Sequence, residues 1–351
     1  MGKDVVLVTG SCGRIGTAVV KRLGEAYKVV GFELLKAIYA SRQAELIPID
    51  LSSDESVHQA FMHVRNVYGK KIASVIHLAA YYSFATKESP LYEKITVKGT
   101  EKLLYALQDF DVEQFLFTST MLVHKPTEPG YPITEESELC GSWGYPRSKI
   151  ETEALIHEQR GKIPAVFLRI AGVYDDGCHS IPISHQIQRI YEKQWTAHLM
   201  AGDISHGAAF VHMDDVVTAM ALAVEKRREL PPETRLLIGE PKTLSYDEMQ
   251  RVISFLLYQK EMKTLSVPKW FAKTGAWLQC LAAWKHKPFI RPWMIDFADD
   301  HFELNIDQAK KVLGWEPKQK IARTLPIMIA DLKKDPEAWY KKNQLPGLRY
   351  R

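Results

Sequence analysis

The sequence predicts an α/β fold, a doubly wound parallel sheet with a smaller C-terminal lobe, and three observations carry that prediction. Short runs rich in Val, Ile and Leu alternate with amphipathic stretches over the first two-thirds of the chain. That is the pattern of parallel strands covered by helices on both faces. The apolar run Val5-Val6-Leu7-Val8 passes through Gly10, Gly13 and Gly16 directly into a helical pattern. Beyond Gly177 the alternation gives way to helical pieces interrupted by Pro182, Pro231, Pro232, Pro241, Pro268, Pro288 and Pro292. This is the texture of a smaller lobe closing over a sheet edge.

Taken in order, strands are expected at 5–8, 28–32, 46–49, 74–78, 114–118 and 165–170, with helices at 15–25, 54–67 and 92–108. Residues 1–177 read as the core of the first domain, and about 208–240 return to it. Residues 178–207 and 241–335 form the lobe, and 336–351 a basic tail. A chain of 351 residues, 46% of them hydrophobic, can bury cores of this extent. Its net charge of +4 is scattered, without a basic run interleaved with aromatics, so nucleic acid is not an expected partner. Cys12, Cys140, Cys178 and Cys280 lie far apart and form no C-x-x-C pair. Neither a disulfide framework nor a metal site is expected, and the reducing cytoplasm is the expected location. With the first strand beginning near residue 4, no signal peptide is expected, and no apolar run is long enough to span a bilayer. Met1-Gly2 lacks the Ser or Thr of a myristoylation signal, having Val6 instead.

The glycine turn is the first candidate site. A strand feeding a helix through such a turn lets backbone N–H groups approach a pyrophosphate, and the helix N-terminus adds partial positive charge. A Rossmann-type dinucleotide site follows from that context. Glu33, at the end of the second strand, can accept hydrogen bonds from both hydroxyls of an adenosine ribose and would repel a 2′-phosphate. The cofactor expected is therefore NAD, with NADP left open by Lys36 and Arg42. The alternative for Glu33 is a solvated strand end. Asp50, followed by Leu51, can bond an adenine amino group or cap the next helix. Ala79 and Ala80 let a cofactor lie against the backbone at a strand's carboxyl end, while His77 alone reads as a hydrogen-bonded core residue.

Tyr145 and Lys149 stand four apart on one expected helix face. A nearby ammonium and an oxidised nicotinamide would favour the phenolate and bring the tyrosine into acid–base range. The pair is informative because it follows the fifth strand, downstream of the glycine turn. Thr118, Ser119 and Thr120 end that strand with three hydroxyls, which can hold a substrate oxygen or satisfy local backbone.

Together these residues resemble the extended short-chain dehydrogenase/reductase superfamily, in its NAD-dependent epimerase/dehydratase branch. The resemblance also rests on Val97-Lys98-Gly99-Thr100, Leu168-Arg169-x-x-Gly172-Val173-Tyr174, Phe210-Val211-His212-Met213-Asp214-Asp215 and Leu313-Gly314-Trp315-x-Pro317. It implies that Arg14 and Ile15 contact the pyrophosphate, Glu33 the ribose, and Asp50 and Leu51 the adenine. It further implies a catalytic set of Thr120, Tyr145 and Lys149, with Tyr145 as acid/base and Lys149 also bonding the nicotinamide ribose. Hydride would pass between the nicotinamide and a secondary alcohol or ketone. The family's dimer, built on two helices including that of Tyr145, implies a homodimer, for which Ile150, Ala154, Leu155 and Ile156 are the available face.

Three departures stand out. Thr96 replaces a common Asn, the motif usually read V-Y-G is Val123-His124-Lys125, a change expected at the pocket rim, and Ala208-Ala209 stand where many sugar-nucleotide members have a clamping Arg. The substrate is thus an alcohol or ketone, or alternatively a nucleotide sugar turned over with tightly held NAD. A non-catalytic nucleotide sensor is a third reading, opposed by the intact Thr/Tyr/Lys set. Trp270, Trp277 and Trp284 recur every seven residues and form one helical stripe. The stripe reads first as a core face, otherwise as a wall for an apolar substrate or, across 268–297, a membrane-surface contact. This tail is also similar to 3β-hydroxysteroid dehydrogenase and dihydroflavonol reductase relatives.

Overall fold

The computed structural model describes residues 2–34, 45–83, 86–282 and 289–347. Lys36, Arg42, Trp284, Pro288 and the end of the basic tail lie outside the described residues. In chain order the main elements are β1 (Val5–Thr9), α1 (Arg14–Leu23), β2 (Lys28–Glu33), β3 (Glu45–Pro48), α2 (Asp54–Tyr68) and β4 (Ser74–His77). A wide π-type turn (Tyr92–Val97) leads into α3 (Lys98–Leu107), then β5 (Phe115–Thr120), α4 (Gly144–Gln159) and β6 (Ala165–Ile170). After α5 (Ile181–Tyr191) and α6 (Met213–Glu225) comes β7 (Glu233–Ile238). The chain ends with α7 (Tyr246–Tyr258), α8 (Lys269–Ala282), α9 (Asp307–Leu313), α10 (Ile321–Lys334) and α11 (Pro336–Lys342).

The seven strands are parallel and ordered β7-β6-β5-β4-β1-β2-β3. Strand order reverses between β1 and β4, which opens a crevice at their carboxyl ends, where open α/β sheets bind ligands. Thr9 stands opposite both Phe32 and His77, so β1, β2 and β4 deliver Gly10, Glu33 and Ala79 to one edge. β7 was not foreseen as a separate strand; it pairs with β6 from Glu233 opposite Ala165 to Ile238 opposite Ile170.

Alternation along β1 explains the two main cores. Val6 and Val8 face the layer of α1 and α6, whereas Leu7 faces that of α2 and α3. A third cluster joins α5, α7, α10 and α11. Local signals set the helix starts. Ser53 caps α2 by accepting the Ser56 N–H at 3.3 Å, and Ser245 with Glu248 forms a capping box on α7. The capping role open to Asp50 therefore falls to Ser53.

For Trp270 and Trp277 the core reading of the tryptophan stripe is overturned. Helix α8 packs through Ala272 and Ala276 against Ala201 and Ile295. Trp270 is 71% and Trp277 55% exposed. Small residues bury closely and the bulky ones are left outside.

Candidate active site

The glycine turn is shaped by three contacts. Gly10 adopts φ +68°, and its N–H donates to the Phe32 carbonyl at 2.9 Å. A Cβ on Gly10 would lie 3.1 Å from the Ala79 nitrogen, and one on Gly16 would lie 2.2 Å from the Gly10 carbonyl oxygen. Gly16 thus lets α1 press against the turn. No side chain caps α1, and the N–H groups of Arg14, Ile15 and Gly16 have no partner among the described residues. Unpaired amides at a helix N-terminus are an anion cradle. The Arg14 side chain is exposed and lies 3.4 Å from the Lys342 carbonyl oxygen, while Ile15 packs against the core.

Glu33 turns back onto this cradle. Its carboxylate accepts the Cys12 N–H at 3.1 Å and the Leu34 N–H at 2.9 Å. Asp50 accepts the Ser52 N–H at 2.8 Å, which holds its carboxyl below the usual range. Leu51 is buried beside Gly99, where a Cβ would meet it at 3.0 Å. Ala79 and Ala80 are half-buried at the strand edge, and Ala79 donates its N–H to Thr9 Oγ1 at 3.1 Å. His77 is fully buried between Thr9 Oγ1 (2.7 Å) and Thr100 Oγ1 (2.9 Å). Burial, with Lys149 nearby, pushes its pKa down to about 3, so it is a neutral core residue.

Helix α4 carries Tyr145 and Lys149 to the end of β5. Lys149 donates to the Thr118 carbonyl at 2.7 Å, with its ammonium 4.5 Å from the centre of the Phe117 ring. It is 3% exposed, and burial lowers its pKa to about 7. The Lys149 nitrogen is 5.9 Å from the Tyr145 ring centre, and the Thr120 hydroxyl lies close enough to favour the charged phenol. Burial, and then the neighbouring Tyr92, raise the Tyr145 pKa above its ordinary value, with the Thr120 hydroxyl acting the other way. The buried phenol by itself is thus held protonated, and the phenolate expected from the sequence calls for Lys149 together with an oxidised nicotinamide beside it.

An aromatic enclosure went unforeseen. Tyr82 meets Tyr145 edge-on with ring centres 4.7 Å apart, and Trp143 lies 5.6 Å from Tyr145. Trp293 extends this wall 5.4 Å from Trp143, and Tyr92 closes the other side at 6.5 Å. The clues were Tyr82, two residues beyond Ala80, and Trp143, two before Tyr145. Their convergence depends on the turn at 92–97, which no sequence period announces.

The departures also take form. Thr96 accepts the Tyr81 N–H at 3.0 Å and so fixes the backbone below Tyr82. His124 does not line the rim; it is 1% exposed and bonds Arg169 at 3.1 Å. Arg169 also grips Glu153 through two bonds of 3.2 and 2.7 Å beneath α4.

A parallel sheet with a reversal crevice, an anion cradle and a Tyr/Lys pair at the same edge defines a dinucleotide-dependent enzyme. The chain belongs to the NAD dependent epimerase/dehydratase family, whose model matches residues 6–239. It is an NAD-dependent oxidoreductase of the extended short-chain dehydrogenase/reductase type. It is similar to 3 beta-hydroxysteroid dehydrogenase type 7 of Homo sapiens, with 26% identity over 90% of this chain and 92% of that protein. The fold is shared with a UDP-glucose 4-epimerase of Thermus thermophilus solved with NAD (TM-score 0.69, 20% identity, 94% and 99% coverage). It is shared also with a dTDP-glucose 4,6-dehydratase of Bacillus anthracis solved with NAD (TM-score 0.70, 20% identity, 97% and 99% coverage). No described helix is long and apolar enough to cross a membrane.

Proposed function

We propose that this chain reversibly oxidises a secondary alcohol on a largely apolar, hydroxysteroid-like substrate, with Tyr145 as the acid/base. The aromatic enclosure of the phenol by Tyr82, Tyr92, Trp143 and Trp293 carries this reading. Such walls accept a flat apolar ring system and offer little to a charged diphosphate. The similarity to a hydroxysteroid dehydrogenase along nearly the whole chain supports it. A nucleotide sugar is disfavoured at Ala209, which is fully buried and whose carbonyl is taken by the Gly172 N–H at 3.1 Å.

The cradle fits NAD: free amides at Arg14, Ile15 and Gly16 suit the pyrophosphate, and the Glu33 carboxylate beside them suits a ribose. Asp50 and Leu51 would hold the adenine, and Tyr145 and Lys149 the second ribose. Bound NAD supplies the hydride acceptor and a positive charge beside the phenol. Tyr145 takes the proton from the substrate hydroxyl as the carbinol hydrogen leaves. Thr120 holds the same oxygen. Lys149 stabilises the phenolate form, offsetting the burial that otherwise keeps Tyr145 protonated.

The test is NADH formation with 3β-hydroxysteroids against UDP-sugars, for the native protein and Tyr145→Phe. Native protein should turn over the steroid, and the variant should lose about 10²–10⁴-fold while binding NADH normally. Retained turnover in the variant would sink the acid/base role. UDP-sugar conversion without net NADH would sink the substrate class.

A homodimer through α3 and α4 is part of the same reading. Tyr105 on α3 is 84% exposed and Ala154 on α4 is exposed, whereas Ile156 is fully buried and Leu155 packs on the core. Light scattering that returned a monomer mass would remove it. The four cysteines, all free, suit a reducing cytoplasm.

A further inference from the structure

Helix α8 is amphipathic in the inverted sense. Its inward line is Ala272 and Ala276, flanked by Lys269 and Lys273, which are tied to Asp299 and Asp296. At 100° per residue, Trp270, Phe271, Trp277, Leu278 and Leu281 fall within roughly one-third of the outward circumference. All five are more than half exposed, at 71, 53, 55, 54 and 63%. Thr274 shares the stripe, but its hydroxyl is spent on the Trp270 carbonyl at 2.9 Å. No charged side chain interrupts the stripe.

We propose that α8 lies in a lipid surface, its tryptophan stripe sunk into the headgroup–acyl boundary. Two features favour lipid over a second copy of the chain. Taking about 200 Å² per large side chain, the stripe exposes roughly 600 Å², short of the ~800 Å² per partner of a stable protein interface. It also lacks the hydrogen-bonding groups that set register between proteins, offering only two indole N–H groups of the kind found at a membrane's wet edge. A helix of 14 residues is too short to span and long enough to lie flat. Because Lys269 and Lys273 are already paired, the attachment is apolar rather than electrostatic.

Helix α8 packs on the turn Pro292–Phe297, which carries Trp293 to Trp143. Docking would therefore bring the aromatic side of the site to the lipid surface. That consequence rests on the apolar-substrate reading, whereas lipid binding itself does not.

The test is co-sedimentation of the full chain with phosphatidylcholine vesicles, without substrate. Binding is expected, and it should persist in high salt, where screening lengths fall to about 3 Å. Trp270→Gln should weaken it about tenfold, and adding Trp277→Gln and Leu281→Gln by a hundredfold or more. NADH affinity and thermal unfolding should change little, since these side chains belong to none of the buried core clusters and lie outside the cofactor cradle. Absence of vesicle binding by the native chain overturns the proposal, as does equal binding by the triple variant. A concentration-dependent dimer abolished by the same substitutions, with no lipid binding, would assign the stripe to a second copy and also overturn it.

Discussion

Lys149→Met should make stability less dependent on pH while removing activity. In the native protein Lys149 is 3% exposed, and burial lowers its pKa from 10.5 to about 7. The unfolded chain retains the ordinary value. Between about pH 7 and 10.5 the unfolded state therefore binds more protons than the folded one, so native stability rises with pH across this window. At about 1.4 kcal/mol per pH unit, carrying the ammonium into the fold costs up to about 5 kcal/mol at or below pH 7. Against this stand the bond to the Thr118 carbonyl at 2.7 Å, about 1 kcal/mol, and the contact over the Phe117 ring, about 2 kcal/mol. A single pH mixes these contributions, but the slope isolates the proton. Urea unfolding of both proteins at about pH 7.5 and 9 should show the variant losing about 2 kcal/mol relative to native as pH rises. Curves that remain parallel would mean an ordinary ammonium at Lys149, and would refute the argument. The same variant should reduce kcat severely, since among the described residues only Lys149 sets an ammonium against the Tyr145 ring.

Gly16→Ala should weaken NADH binding by about tenfold to a hundredfold, because its Cβ would overlap the Gly10 carbonyl at 2.2 Å and α1 must shift. Gly13→Ala, whose Cβ would meet that oxygen at 3.2 Å, should fold with little loss; comparable thermal unfolding deficits in both would contradict this. Glu33→Ala should weaken NADH about tenfold and narrow the preference over NADPH, as titrated by fluorescence. Glu153→Gln should cost about 3–5 kcal/mol by urea unfolding, because Arg169 is left buried without its anion.

What could be read from the sequence was whatever is local along the chain. The six strands and the glycine turn were legible because a parallel strand is a short apolar run and Gly10 must take positive φ. Edges shifted by a residue or two; the fifth strand continues to Thr120, carrying its hydroxyl to the Tyr145 phenol. Side-chain direction was the harder matter. His124 was read at the rim and lies inside, bonded to Arg169, because Glu153 one helix away draws that guanidinium inward. The tryptophan stripe shows the same limit from the other side. Periodicity locates a face, but which face turns inward depends on what can approach it. Ala272 and Ala276 let α8 sit close to Ala201 and Ile295, a fit the tryptophans could not make. Bulk on a helix is therefore no guide to burial where a small-residue face lies opposite, and there an exposed aromatic stripe is better read as a surface for lipid than as a misplaced core.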